Sequence, residues 1–203
     1  AVNKEIADGK LKPPISSRDK LFFHVGVNMA RSDLKIGQRL AENVTLNAEK
    51  FGTIAYLLGA KYPDLALDKA WRQIFFGSHH DAITGTPSDS AFLDLVLGYR
   101  EAIELSKGAM EDSLKFIAKQ VNTKSKIESQ KSKVIPIVVF NPMNWSRSDK
   151  VRVKVYYQRD ENYEALTLIK DENGVMQPYN VTSADKNFLE TEFVGKDIPS
   201  LGY

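Results

Sequence analysis

The chain has 203 residues, a formal net charge of +2 and no cysteine. Hydrophobic residues make up 42% and charged residues 27% of it, the balance of an ordinary globular protein. The small net charge gives no reason to expect binding to nucleic acid or to an anionic membrane surface. No apolar run approaches the roughly 20 residues that span a bilayer. Without cysteine, a metal site must use His, Asp or Glu.

The first 32 residues are predicted to be irregular. Gly9 and the pair Pro13-Pro14 interrupt a polar stretch, and the N-terminus has no apolar core of the kind found in a signal peptide. A short apolar segment, Leu21 to Val27, follows and contains His24. We interpret His24 as a structural residue.

Residues 33–122 are predicted to form three amphipathic helices. Ser32 is the expected N-cap of the first helix, and Gly59 its end. Its apolar residues recur at three- and four-residue spacing. They are Ile36, Leu40, Val44, Ala48, Phe51, Ala55 and Leu58.

The second predicted helix begins at Asp64 and ends at Gly77. Its apolar stripe comprises Leu67, Ala70, Trp71, Ile74 and Phe75. We interpret the aromatic residues Trp71, Phe75 and Phe76 as core packing rather than as a platform that binds carbohydrate.

The start of the third helix is marked by Thr86 as N-cap, Pro87 at the first helical position and Asp89 in the first turn. Helical spacing of apolar residues then continues through Phe92, Val96, Tyr99, Ile103, Met110, Leu114, Ile117 and Val121. Three amphipathic helices joined by short turns predict an antiparallel three-helix bundle.

Residues 123–133 are polar and are predicted to be a linker, after which the periodicity changes. Residues 134–140 are rich in β-branched residues, and Val151 to Val155 alternate with the period of two that is typical of a half-buried strand. Further strands are predicted at 165–169, 175–177 and 188–194. The fold class is therefore α+β, with a helical bundle followed by an antiparallel, sandwich-like β domain over residues 134–203.

The turn between the second and third helices carries two of the three histidines, His79 and His80, next to Asp81. Imidazole and carboxylate groups are ligands that suit zinc. Adjacent histidines are more often structural, so these residues alone leave both interpretations open.

The run from His79 to Thr86 reads His-His-Asp-Ala-Ile-Thr-Gly-Thr, and it resembles the signature of the class II α-mannosidases. These enzymes, glycoside hydrolase family 38, are zinc-dependent retaining glycosidases. The resemblance implies that His80 is a zinc ligand and that Asp81 binds mannose hydroxyls. It places His79 as a neighbour in the site.

The resemblance extends from about residue 21 to the end of the chain. Gly26, Arg31, Leu34 and Lys35 fit a second family segment, but Val27-Asn28 replaces its aromatic pair. Residues 138–147 resemble the first strand and turn after the family's bundle, and residues 198–203 resemble a later proline-leucine-glycine-tyrosine stretch.

In this family the nucleophile, the acid/base and the other zinc ligands lie on an N-terminal catalytic domain, which we expect to be missing here. We therefore expect no catalytic residue in the chain, no activity in isolation, and an α-mannoside or mannose-containing glycan as substrate of the intact enzyme. The alternative is a non-catalytic carbohydrate-binding or interaction module. An independent zinc hydrolase is disfavoured, because adjacent residues on a tight turn rarely direct three donors at one ion.

Three glycosylation sequons begin at Asn43, Asn144 and Asn180, and they would matter only in a eukaryotic secretory compartment.

Overall fold

The computed structural model describes residues 2–13, 29–123, 134–156, 168–171, 173–185 and 187–203. The predicted apolar segment with His24 and nearly all of the predicted linker lie outside these ranges. The division of the chain at residues 32, 122 and 133 stays a prediction.

Three long helices form a bundle. A short helix α1 (Val2–Ala7) lies in the stretch that was predicted to be irregular, so that prediction is wrong for these residues. The chain then forms α2 (Ser32–Leu57), α3 (Asp64–Gly77), a single turn α4 (His80–Ile83) and α5 (Asp89–Gln120). Sequential long helices run antiparallel, so α2 and α5 lie parallel. Their first turns meet through Arg31 and Asp89, their middles through Thr45 and Ser106, and their ends around Phe51.

Small side chains let the three helices approach closely. Ala41, Ala48, Ala70 and Ala102 are fully buried at the interfaces, and larger groups such as Leu34 and Ile74 fill the space beside them. The buried Thr45 hydroxyl donates to the carbonyl of Ala41 and lies 2.8 Å from the Ser106 hydroxyl. Because Thr45 has one hydroxyl proton, Ser106 is the donor in that second bond.

The buried faces differ from the predicted stripes in three places. In α2, Ile36 and Leu40 are exposed, because the core face there consists of Leu34, Ala41 and Thr45. In α3, Phe75 and Phe76 are 66% and 71% exposed, so the interpretation of both as core residues is wrong. The third long helix, α5, buries Leu95, Tyr99, Ala102, Ser106 and Ala109. Leu95, Ala102 and Ala109 each lie one residue before a predicted core residue, namely Val96, Ile103 and Met110.

The β region contains a three-stranded antiparallel sheet and a two-stranded hairpin. The strands are β1 (Arg147–Tyr156), β2 (Ile169–Lys170), β3 (Met176–Gln177), β4 (Tyr179–Asp185) and β5 (Phe188–Ile198). The sheet order is β1-β5-β4, and β2 pairs with β3. The half-buried and exposed residues alternate through Val151 to Val155, as the period of two predicts. The predicted α+β class with an antiparallel sheet is confirmed.

Two parts of the β region differ from the sequence prediction. Residues 134–140 are not part of a strand, because Phe140 turns in against the bundle and Pro136 has no N–H to donate. Strand β4 was not predicted. Its residues are almost all exposed, so its sequence shows little alternation of apolar and polar residues. The strand forms because its backbone pairs with that of β5. Residues 165–167 of another predicted strand lie outside the described ranges.

The β region joins the bundle at the end of α2. The rings of Phe51 and Phe140 meet edge to face at 5.7 Å, and the Lys50 ammonium donates to the carbonyl of Pro142 at 3.0 Å. Residues 31 and 51 are separated by 20 residues of helix, about 30 Å at the usual rise. The turn that carries the histidines therefore lies at the other end of the bundle from the sheet. Within the described residues, no helix is long and apolar enough to cross a membrane.

Candidate functional site

Three side chains with metal-binding donors converge on the turn between α3 and α5. His79 lies just after the end of α3 and is the N-cap of the single turn α4, whose first two residues are His80 and Asp81. Their side chains are 59%, 79% and 70% exposed. Ala82, the next residue, is buried in the core with Leu34 and Tyr99 and anchors the turn there. The two histidines and the aspartate are thus presented at the surface from a turn fixed to the core.

The donor atoms of these three residues lie within 4.8 Å of one another. The Nε2 atom of His80 is 3.3 Å from Asp81 Oδ2, and the Nδ1 atom of His79 is 3.9 Å from the same oxygen. The imidazole rings are tilted by 37°, with centroids 4.3 Å apart. Among the described residues, these three form the group of His, Asp and Glu side chains suited to hold a metal ion.

The start of α2 supports the turn from one side. Gly85 has a φ of 84° and lies against the backbone of Ala30, where a Cβ would come within 2.8 Å of the carbonyl oxygen. Any side chain there would both strain the backbone and overlap Ala30. Next to this contact, the Arg31 guanidinium pairs with Asp89 at 2.6 Å and lies 4.3 Å from the centroid of the Phe92 ring. These contacts join the first turns of α2 and α5 to the segment that carries His80.

A second support lies under the end of α3. The Gln38 amide donates to the Ser78 hydroxyl at 2.8 Å and to Glu42 at 3.0 Å. Tyr99 packs directly against Gly77, where a Cβ would lie 2.6 Å from two ring carbons. This contact accounts for glycine at the residue that precedes Ser78 and His79.

The Tyr99 side chain is the most perturbed titratable group of this end of the bundle. Burial, with a smaller contribution from the Glu42 carboxylate, raises the pKa of Tyr99 from 10.0 to about 12. Both effects disfavour the phenolate. Among the described side chains, the Tyr99 hydroxyl and Gln38 Oε1 are the buried polar atoms without a hydrogen-bond partner.

The structure corrects the predicted role of Thr86. The N-cap of α5 is Ser88, whose extended backbone lets its hydroxyl accept from the N–H of Ala91 at 3.4 Å. The Thr86 hydroxyl instead donates to the carbonyl of Asp81 at 2.9 Å. The first helix likewise begins at Ser32 and has Arg31, in the left-handed region at φ 45°, as its N-cap.

The donor set fits a zinc ion chemically. His80 Nε2 and Asp81 Oδ2 lie 3.3 Å apart on the exposed face of the turn, so an ion on His80 and a sugar hydroxyl on Asp81 would be neighbours. The Nδ1 lone pair of His79 is already used, because it accepts from the N–H of Asp81 at 3.3 Å. The expectation that adjacent residues on this turn do not direct three donors at one ion stays a prediction. Three exposed donors still leave any ion open to water.

Comparison with known proteins assigns the helical region. Residues 22–117 match the family described as the alpha mannosidase middle domain. This range includes α2, α3, the turn with His79, His80 and Asp81, and all but the last three residues of α5. The match covers just under half of the chain, and it confirms the resemblance to the α-mannosidases. No curated protein sequence matches the chain.

Two solved structures share the fold of the chain. One is a protein in glycosyl hydrolase family 38 from Enterococcus faecalis, with a TM-score of 0.68 and 17% identity, covering 98% of this chain and 26% of that protein. The other is an alpha-mannosidase from Enterococcus faecalis V583, with a TM-score of 0.60 and 17% identity over 87% of this chain and 23% of that protein. The chain thus spans about a quarter of the length of each.

Proposed function

We propose that the chain is the middle segment of a zinc-dependent retaining α-mannosidase that removes terminal α-mannosyl residues from glycans. The observation that carries the proposal is the exposed turn from His79 to Thr86, which presents His80 and Asp81 at the surface of an alpha-mannosidase middle domain.

His80 would supply one nitrogen ligand to zinc, and its side chain is open to an ion that approaches from solvent. When bound, zinc would act as a Lewis acid that holds two sugar hydroxyls. Asp81 would accept hydrogen bonds from an adjacent hydroxyl. The Asp81 carboxylate lies beside His80, so zinc on His80 and the carboxylate of Asp81 would reach neighbouring hydroxyls of one sugar.

The remaining groups would come from another part of the same protein. A retaining glycosidase needs two carboxyl groups about 5 Å apart, one as nucleophile and one as acid/base. The cluster at the turn contains one carboxylate, that of Asp81, which we assign to substrate binding. A zinc site also needs three or four protein ligands, of which His80 is one. The exposed face of the turn is free to meet a domain that supplies the others.

The full-length protein that carries this segment provides the test. We expect it to release an aryl leaving group from an α-mannoside, with retention at the anomeric carbon by NMR. His80→Ala should lose both zinc and turnover. Asp81→Asn should keep zinc and lose about 1.5–3 kcal/mol of a charge-assisted hydrogen bond, a drop of about tenfold to a hundredfold in kcat/KM. The 203-residue chain alone should show no turnover with added zinc.

Metal analysis and melting curves of both variants separate this proposal from a structural role. A purely structural role predicts that both substitutions lower the melting temperature and leave the metal content per folded molecule unchanged. If His80→Ala keeps a full complement of zinc, the assignment of His80 is wrong. Binding of mannosides by an inactive full-length protein would instead support the non-catalytic binding module.

A further inference from the structure

The backbone of Asp81 is held from both sides by side chains of its own turn. Its N–H donates to Nδ1 of His79 at 3.3 Å, and its carbonyl accepts from the Thr86 hydroxyl at 2.9 Å. The preceding carbonyl, that of His80, accepts from the Thr84 hydroxyl at 2.6 Å.

These bonds replace partners that a longer helix would provide. A helix of four residues leaves its first N–H groups and last carbonyls without partners inside the helix. In α4, the carbonyl of His79 accepts from the N–H groups of Ala82 and Ile83. The carbonyl of Ala82 accepts from the N–H of Gly85. The N–H and the carbonyl of Asp81 are satisfied by the two side chains of His79 and Thr86.

The carboxylate of Asp81 has little else to fix its direction. Its side chain is 70% exposed, and its carboxylate lies 3.3 Å from the His80 imidazole and 3.9 Å from that of His79. The backbone of Asp81 therefore sets where the Cβ points, and the hydrogen bonds of that backbone set how far the turn can open.

We propose that Thr86 is a positioning residue for Asp81, acting through the hydrogen bond from its hydroxyl to the Asp81 carbonyl. The inference rests on the proposed function of Asp81 in sugar binding. Thr86 touches neither sugar nor metal in this role. Thr86 also precedes Pro87 and the Ser88 cap of α5, so the bond ties the single turn α4 to the start of a 32-residue helix. Loss of the hydroxyl would release the carbonyl of Asp81 while Ala82 stays packed in the core.

The test uses three variants. Thr86→Val removes the hydroxyl at nearly constant volume, and Thr86→Ser keeps it. The matched control is Thr53→Val, because the exposed Thr53 hydroxyl makes the same kind of bond, to the carbonyl of Glu49 at 2.8 Å, near the other end of α2.

The first measurement uses the 203-residue chain without metal or substrate. Amide hydrogen exchange and backbone chemical shifts report on His80, Asp81 and the helices. We expect Thr86→Val to speed exchange at Asp81 by about tenfold and to shift the His80 and Asp81 signals. Thr86→Ser should restore both, and Thr53→Val should leave them unchanged. Wild-type signals at Asp81 in Thr86→Val would overturn the proposal, as would equal effects of the Val and Ser variants.

The second measurement uses the full-length protein with an aryl α-mannoside. Thr86→Val should keep its zinc and lose about tenfold to a hundredfold in kcat/KM, because a displacement of about 1 Å has effects of that size. Thr86→Ser should recover most of the loss. Full activity in Thr86→Val would overturn the positioning role. If the wild-type protein does not hydrolyse α-mannosides, the proposed function fails, and the exchange measurement still decides whether Thr86 holds Asp81.

Discussion

The helical bundle and the β region of this chain are stabilised in different ways. Every buried hydrophobic side chain among the described residues lies between Leu34 and Ile117, inside the bundle. The sheet has half-buried valines on one face of β1, and its fully buried side chains in the described ranges are polar, Asn141 beside it and Thr191 in β5. The fold of the bundle is thus stabilised mainly by close packing of apolar side chains, whereas the β region relies more on hydrogen bonds.

This difference explains why the candidate site lies on the bundle. A turn built on packed helices can hold exposed ligands in place, because Ala82 and Gly85 are fixed by contacts that tolerate little movement. An exposed sheet with a shallow core would offer less resistance to displacement of a side chain. Three substitutions test the comparison.

The largest effect is expected at Asn141 in the β region. Its side-chain amide donates to the carbonyls of Trp145, Ile198 and Pro199 at 2.7 to 3.1 Å, and it is 2% exposed. Asn141→Ala would leave three acceptors without this donor and lower the free energy of unfolding by about 3 kcal/mol. Urea denaturation measures the change.

Hydrogen exchange locates the loss caused by Asn141→Ala. The amides of β1 and β5 should lose protection and those of α2 and α5 should keep it. The control is Asn173→Ala in the exposed β2–β3 turn, which should change stability by less than about 0.5 kcal/mol. Equal loss of protection in the helices would show that the two regions unfold together and would remove the contrast between them.

A smaller effect is expected from a methyl group added inside the bundle. In an open helix position, Gly→Ala stabilises by about 1 kcal/mol. At Gly77 the new Cβ would lie 2.6 Å from ring carbons of buried Tyr99. Because this overlap costs more than the higher helix propensity of alanine gains, we expect Gly77→Ala to lower the free energy of unfolding by about 2 kcal/mol. Thermal melting monitored by circular dichroism gives the sign.

Gly108 is the matched control for Gly77, because it lies in α5 and a Cβ there would meet no atom within 4 Å. Gly108→Ala should therefore raise stability by about 0.5–1 kcal/mol. If Gly77→Ala also stabilised the protein, the close packing at the base of the candidate site would be contradicted.

The smallest effect concerns alkaline pH. The pKa of Tyr99 is raised from 10.0 to about 12 by burial, so the unfolded chain loses this proton at lower pH than the folded protein does. The contribution of neutral Tyr99 to folding stability is therefore complete below pH 10 and is lost as the pH rises toward 12. Between pH 9 and 11 this one group should lower the free energy of unfolding by about 1 kcal/mol. Tyr99→Phe should remove that part of the pH dependence.

At neutral pH, Tyr99→Phe removes a buried hydroxyl that has no hydrogen-bond partner, so it should not destabilise the protein. A steeper alkaline loss in Tyr99→Phe than in the wild type would contradict the burial of this hydroxyl.

The sequence by itself determined the three long helices, strand β1 and their order. Spacing of three and four residues located the three helices, because one face of each must be apolar to pack. Alternation located β1, and glycine at 59 and 77 marked two helix ends. The run of eight residues from His79 to Thr86 also indicated the family, because eight consecutive matching residues rarely occur by chance.

Only the tertiary structure decided which apolar residues are buried and how the turn is held. Ile36, Phe75 and Phe76 satisfy helical spacing but point outward, because a bundle of small residues leaves space for only one narrow face of each helix. Strand β4 has no apolar signal of its own, since β5 provides its hydrogen bonds. Thr86 has the local sequence of a helix cap, yet its hydroxyl bonds Asp81, because Ser88 is better placed to cap α5. Such choices depend on which partners the fold brings within reach, and neighbouring residues in the chain do not specify them.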